Sequence, residues 1–195
     1  EPKFQPSDDA FLLDTYFAGP ENPLLLPAIS TLQPAEVQHS PFVLVGAHGS
    51  GKSHLANVVA SRWPKTAVNF FHADEFTNAF ISASKEGALE SFRQQLRGKK
   101  LLVLENFEFF AEGSKAKTLL ELQHTLRSLQ RTGQQIVLTS SLPITSIPDL
   151  PPSLQTLLLS GLRIQIRPPR PETKRQLLDH LVARSGTKLS KPILD

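Results

Sequence analysis

The chain has 195 residues, 39% of them hydrophobic and 20% charged, enough to bury a substantial core as one domain, with room for an appendage. It has no cysteine, which excludes disulfides and thiolate metal sites. A formal net charge of +3 is mildly basic, a balance compatible with nucleic acid that does not by itself identify it. No apolar run reaches the ~20 residues that cross a bilayer, and no signal-peptide pattern opens the chain. The expectation is therefore no membrane span and a cytoplasmic location. Beginning at Glu1 and lacking methionine, the sequence reads as a piece of a longer product.

Residues 1–10 are polar and proline-bearing and read as a flexible lead-in. The aromatic stretch around Phe11, Tyr16 and Phe17 has two readings, a strap packed on the core or a segment folded over a nucleotide base. Prolines interrupt residues 22–40, where a short helix is predicted over 28–32. Residues 42–45 form a continuous apolar strand, the pattern of burial on both faces. A helix follows over 54–62, with Leu55, Val58 and Val59 at helical spacing and Pro64 as its stop. A second strand, 67–71, leads to Asp74 as N-cap of a helix over 75–84. Phe76, Ala79 and Phe80 share one face of that helix, Gly87 breaks it, and 88–96 continues as another. Phe76, Phe80 and Phe92 have core spacing rather than the arrangement of a base-stacking platform.

The strand at 101–104 ends in Glu105-Asn106. Leu119, Leu122, Leu126 and Leu129 then form the stripe of a long amphipathic helix over 115–131, stopped by Gly133. A strand at 135–139, a short helix at 153–159, a strand at 163–166 and a helix from 171 to 184 complete the order. Strands alternating with helices predict an α/β fold: a five-stranded parallel sheet with helices on both faces.

The stretch with the most explicit chemistry is Gly46-Ala-His48-Gly49-Ser50-Gly51-Lys52-Ser53, which fits G-x-x-x-x-G-K-[ST] at every fixed position. A polyphosphate needs backbone N–H groups turned inward, and glycines permit both the dihedrals and the close approach. Lys52 is expected to reach the β/γ-phosphates and Ser53 to place its hydroxyl on Mg²⁺. The helix beginning there, from Gly51 through His54, adds its N-terminal N–H groups. The bland alternative, a chance glycine-rich turn, does not explain an apolar strand before the loop and a helical pattern after it.

Further stretches narrow the reading. Leu13-Asp14-Thr-Tyr16-Phe17-Ala18-Gly19-Pro-Glu-Asn22, Asp74-Glu75-Phe76-Thr77-Asn78-Ala-Phe80-Ile81, Gln134-Gln-Ile-Val-Leu-Thr-Ser140 and Ile166-Arg-Pro-Pro169-Arg-Pro-Glu172-Thr173 resemble the bacterial replication initiator DnaA family, a branch of the AAA+ ATPases. The landmarks stand in family order across residues 11–189. The resemblance implies a P-loop NTPase base domain over 11–188, with 189–195 beginning a linker to a lid that is absent here. It implies ATP or ADP with Mg²⁺ as ligands, and Phe17, Ala18, Gly19 and Asn22 as base-side contacts. Glu105 and Asn106 fall on the paired Walker B acids: Glu105 can serve Mg²⁺ with Ser53, but Asn106 cannot act as a base, although Glu108 lies two residues further on. Ser141 stands at the sensor-1 aspartate, and Gln155-Thr-Leu157-Leu158-Leu159 where an arginine finger is expected, a group worth about 10³–10⁵ in rate elsewhere. Slow or absent hydrolysis is the expectation.

The resemblance also implies partners. The family's two-helix insertion, corresponding to about 74–97, is associated with filament packing and single-stranded DNA. Lys85, Arg93, Arg97, Lys115 and Lys117 are the cations expected to form a DNA stripe, against the alternative of a solvated helix face. Two functions remain open: a nucleotide switch or assembly module in replication initiation, and a regulator that binds another AAA+ protein.

Overall fold

Five short apolar runs become strands because each is flanked by a turn or helix start and is rich in Val, Leu, Ile and Phe. They are β1 (Phe42–Gly46), β2 (Val68–His72), β3 (Leu101–Glu105), β4 (Gln135–Ser140) and β5 (Leu162–Ile166). All pair in parallel, in the order β2-β3-β4-β1-β5. The computed structural model describes Tyr16, residues 18–111, Gly113 and residues 115–185; the stretch 1–10, Phe17 and 189–195 lie outside the described residues.

Side chains alternate across the pleat and supply two cores. Val43, Val45, Leu102, Leu104, Ile136 and Leu138 face one layer, while Phe42, Leu44, Leu101, Val103 and Val137 face the other. The first layer is covered by α3 (Ala73–Lys85), α4 (Leu89–Arg97), α5 (Ala116–Arg131) and α6 (Pro152–Leu159). The second is covered by α1 (Leu25–Ser30) and α2 (Lys52–Ala60), with Trp63 closing its end. The last helix, α7 (Pro171–Ser185), follows β5. This is the α/β sheet expected of the sequence. Among the described residues no helix is long and apolar enough to cross a membrane.

The boundaries differ from the sequence pattern in instructive places. Helix α1 begins at Leu25 rather than residue 28, burying Leu25 with Ile29. The cap of α3 is His72, not Asp74: the His72 N–H donates to Glu75 Oε2 at 3.0 Å. Asp74 lies inside the first turn, where its charge complements the helix dipole. A 3-10 turn, Phe107–Ala111, follows β3 where no element is predicted. Phe107 and Phe110 are both buried there, with ring centroids 5.3 Å apart. In a 3-10 turn residues three apart eclipse, so this geometry puts both rings into the core together.

Close approach decides one glycine. The Leu162 N–H reaches Pro41 O at 3.1 Å as β5 begins, and a Cβ on Gly161 would overlap the Pro41 backbone. Helix α4 is held on α5 by a two-pronged pair, Arg93 Nε to Glu121 Oε1 at 2.8 Å and Nη2 to Oε2 at 2.6 Å. Hydrogen bonds from Arg93 hold the buried Glu121 carboxyl below its usual range.

Two outcomes follow, both readable from the single tryptophan, Trp63, which is buried. Phe76 is fully buried between Phe71 and Phe92, so Phe76→Ala is expected to lower stability by about 3–5 kcal/mol in denaturant titration. Because the folded Glu121 carboxyl is depressed, its stabilisation is complete above the ordinary carboxylate range. It is lost as pH falls through the depressed value. Arg93→Ala should cost about 1–2 kcal/mol at neutral pH, less than a fully buried pair because the arginine is partly exposed. The difference from wild type should shrink toward low pH.

Candidate functional site

The site begins where β1 runs out at Gly46. The chain turns through Ala47, with the Ser50 N–H donating to Ala47 O at 3.2 Å, and enters α2 at Lys52. Gly51 caps that helix in the left-handed region, φ 90°, and no side chain caps it, so the first N–H groups face the loop. Glycine is needed there twice over. Besides the dihedral, a Cβ on Gly51 would stand 2.7 Å from Tyr16 Cε2.

Lys52 is buried, and its ammonium donates to Gly46 O at 2.7 Å and Ala47 O at 3.0 Å. Burial lowers its pKa, while the carboxylates of Glu108 and Glu105 push it back up. Glu105, at the end of β3, is 2% exposed; its Oε1 has no hydrogen-bond partner and its Oε2 lies 3.8 Å from His72 Nδ1. Burial raises the Glu105 pKa against the opposing pull of Ser53, His72 and Lys52. Ser50 Oγ is also buried without a partner. A cation, a hydroxyl, a carboxylate and a helix start therefore converge at the carboxyl end of the sheet, and the orphaned oxygens of Glu105 and Ser50 fit a site made to receive a polar ligand. His48 and Gly49 form the exposed tip of the loop, and His54 lies one turn along α2, its pKa lowered by burial.

The N-terminal segment is tied across this loop. Tyr16 Oη donates to Ser50 O at 3.3 Å, and its ring lies 5.8 Å from that of His54. Burial, with Glu21 nearby, pushes the Tyr16 hydroxyl up to about 12. Tyr16 is a site residue that the motif does not reveal; its aromatic neighbours in sequence are the only local signal. Asn22 is placed differently from a free base contact. Its Nδ2 donates to Arg167 O at 2.9 Å and its Oδ1 accepts the Arg167 N–H at 2.8 Å, a reciprocal clasp onto the chain after β5. Gly19 is buried beside it, leaving no room for a Cβ against Glu21 and Thr173, while Ala18 is half-buried and Phe17 lies outside the described residues.

Of the two expected Walker B residues only Glu105 is buried by the loop. Asn106 is exposed in the left-handed region, φ 57°, with its N–H on Thr139 Oγ1 at 3.1 Å. At the expected finger position, Leu157 and Leu158 of α6 belong to the core. The proposed DNA cations divide as well. Lys85 and Lys117 are exposed, and Arg97 is exposed with Glu90 at 3.9 Å. Arg93 is held by Glu121, and Lys115 donates to Phe109 O at 2.9 Å while sitting 4.0 Å from the Phe109 ring centroid.

Comparison with known proteins agrees with this geometry. The chromosomal replication initiator protein DnaA of Levilactobacillus brevis is 33% identical over 173 residues, covering 86% of this chain and 38% of that protein. The chain spans about two fifths of the length of the curated relatives it matches. Domain III of the Thermotoga maritima replication initiation protein DnaA superposes with a TM-score of 0.88 at 23% identity, covering 97% of this chain and 80% of that one. A replication initiator DnaA bound to AMPPCP and single-stranded DNA superposes at 0.84 and 22% identity, covering 95% and 58%. These likenesses establish the AAA+ P-loop fold. A family model described as the bacterial DnaA ATPase domain matches residues 7–165, and the chain belongs to that family.

Proposed function

We propose that this domain binds ATP and ADP at the phosphate loop and serves as a nucleotide switch or assembly module in the initiation of chromosomal replication, turning ATP over slowly. The observation that carries the reading is the buried Lys52 ammonium resting on the Gly46 and Ala47 carbonyls, beside the orphaned Glu105 oxygen. A phosphate exchanges those neutral acceptors for a charged one, which strengthens the contact. Ser53 and Glu105 are the residues that would hold Mg²⁺, whose charge offsets that of the phosphates. Tyr16 closes over Gly51 and His54, which suits it to shield the nucleotide from water. The initiator bound to AMPPCP and single-stranded DNA supports the same ligands here by analogy of fold.

Slow turnover is supported by what surrounds the loop. Helix α6 offers leucines rather than a cation toward the position of a finger, and Asn106 is neutral. Both lacks lower the stabilisation of transition-state charge while leaving ground-state binding intact. The finger's absence also favours a second reading, a DnaA-like regulator that docks on another AAA+ protein and depends on that partner's machinery. A cytoplasmic location belongs to both.

Titration calorimetry with ATP and ADP, with and without Mg²⁺, tests the site. Lys52→Ala removes a buried charge-assisted contact of about 2–5 kcal/mol, so affinity should fall at least ~30-fold. Wild-type heats equal to those of Lys52→Ala at millimolar ATP would refute nucleotide binding. For single-stranded DNA, fluorescence anisotropy with a labelled oligonucleotide should show weak, salt-sensitive binding. Lys85→Glu and Lys117→Glu should each lower the salt slope by about 0.7, the contribution of one phosphate contact on a single strand. An unchanged slope in both variants would remove these lysines from the interface.

A further inference from the structure

The second acid of an AAA+ site ordinarily follows the first directly in sequence, and here that place holds Asn106, an exposed turn residue. A second carboxylate, that of Glu108, stands two residues later. Phe107 and Phe110 are driven into the core on one side of the 3-10 turn, and the Phe109 N–H closes it on Asn106 O at 2.9 Å. This turns Glu108 away from the rings and toward the end of β4. We propose that Glu108 is the carboxylate that orients the attacking water for hydrolysis at this site, the role that position 106 has given up.

Three observations support the assignment. Glu108 Oε2 is buried and has no hydrogen-bond partner among the described residues, so one lone-pair face of the carboxylate is left to a ligand or water. The Asn106 N–H donates to Thr139 Oγ1 at 3.1 Å, and Val45, just before the loop, pairs with Ser140, so the turn that carries Glu108 lies beside the strand ends that lead into the loop, where its charge raises the Lys52 pKa. Although burial pushes the Glu108 pKa up, contacts with Ser141, its own N–H and Ser140 prevail and hold it below the usual range, so it meets water as an acceptor. Ser140 and Ser141, which lower the Glu108 pKa, stand at the carboxyl end of β4, where the family has its sensor position. Serine in place of aspartate there removes a like charge that would crowd Glu108, so the two departures from the family compensate each other.

The step balances with groups already named. The water oxygen forms a bond to the γ-phosphorus, and the bond from that phosphorus to the β,γ-bridging oxygen breaks, its electron pair leaving with ADP. The water proton passes to Glu108 and then to solvent or the departing phosphate. Glu108 raises the rate only in this step, and with no finger to share the charge the turnover remains slow.

The assignment rests on the nucleotide-site reading, and the test separates the two. Single-turnover hydrolysis by the whole chain at saturating Mg·ATP is measured for wild type, Glu108→Gln and Glu108→Asp, with ADP and AMPPCP affinities taken by calorimetry on the same samples. Glu108→Gln is expected to slow turnover about 100-fold while both affinities stay within threefold, since a positioned acid or base contributes about 10²–10⁴. Glu108→Asp should recover part of the rate. Turnover within twofold of wild type in Glu108→Gln, with binding intact, overturns the assignment and leaves the nucleotide site standing. A parallel loss of rate and affinity overturns it too, because Glu108 would then only support Lys52. So does a wild-type chain that binds Mg·ATP yet turns over no faster than Lys52→Ala. Failure of the wild type to bind nucleotide overturns the site itself and this assignment with it.

Discussion

The arrangement of the phosphate loop depends on a buried ammonium group. Lys52 lies at the start of α2, just past the carboxyl end of β1, with almost no access to water. Taking a cation out of water is expensive unless it is hydrogen-bonded and faced by opposite charge. The loop supplies the hydrogen bonds through Gly46 and Ala47, and Glu105 at the end of β3 with Glu108 in the turn after it supply the charge. The glycines that let the backbone curl around Lys52 are thus part of its solvation as well as of any phosphate cradle.

The sheet exists to bring those glutamates to that lysine. Parallel pairing sets β4 between β1 and β3, and side chains filling both faces hold the strand ends in register. The 3-10 turn after β3 then sorts its residues, burying Phe107, Phe110 and one carboxylate oxygen of Glu108 and leaving Asn106 at the surface. Packing, in this case, decides chemistry.

A second constraint runs through the N-terminal segment. Tyr16 packs over Gly51, Asn22 clasps the backbone at Arg167, and Glu21 accepts a hydrogen bond from the buried Thr173 at 3.0 Å. These contacts join the chain before α1 to the chain after β5 beside the phosphate loop. The basic helices on the opposite layer are partly committed to packing, since Arg93 and Lys115 hold α4 and the 3-10 turn in place.

The sequence by itself determined what is local. The phosphate-loop motif lies within eight residues, and its dihedral and charge requirements are written in adjacent positions. Strands and helices were legible for the same reason: their periodicities express burial on one face or two within a short window. The cap of α3 and the turn after β3 were not, because several polar residues competed for the cap and a 3-10 turn leaves too short a pattern. The tertiary structure alone decided the contacts that span long stretches of chain, such as Tyr16 with Ser50, 34 residues apart, and Asn22 with Arg167, 145 apart. It also decided that Asn106 stands at the surface while a carboxylate oxygen of Glu108 is buried, and that Arg93 is bound to Glu121. Such pairings leave no signature in neighbouring residues, because the partner is chosen by which surfaces the two cores bring together, and any residue of suitable shape and charge would read the same in isolation.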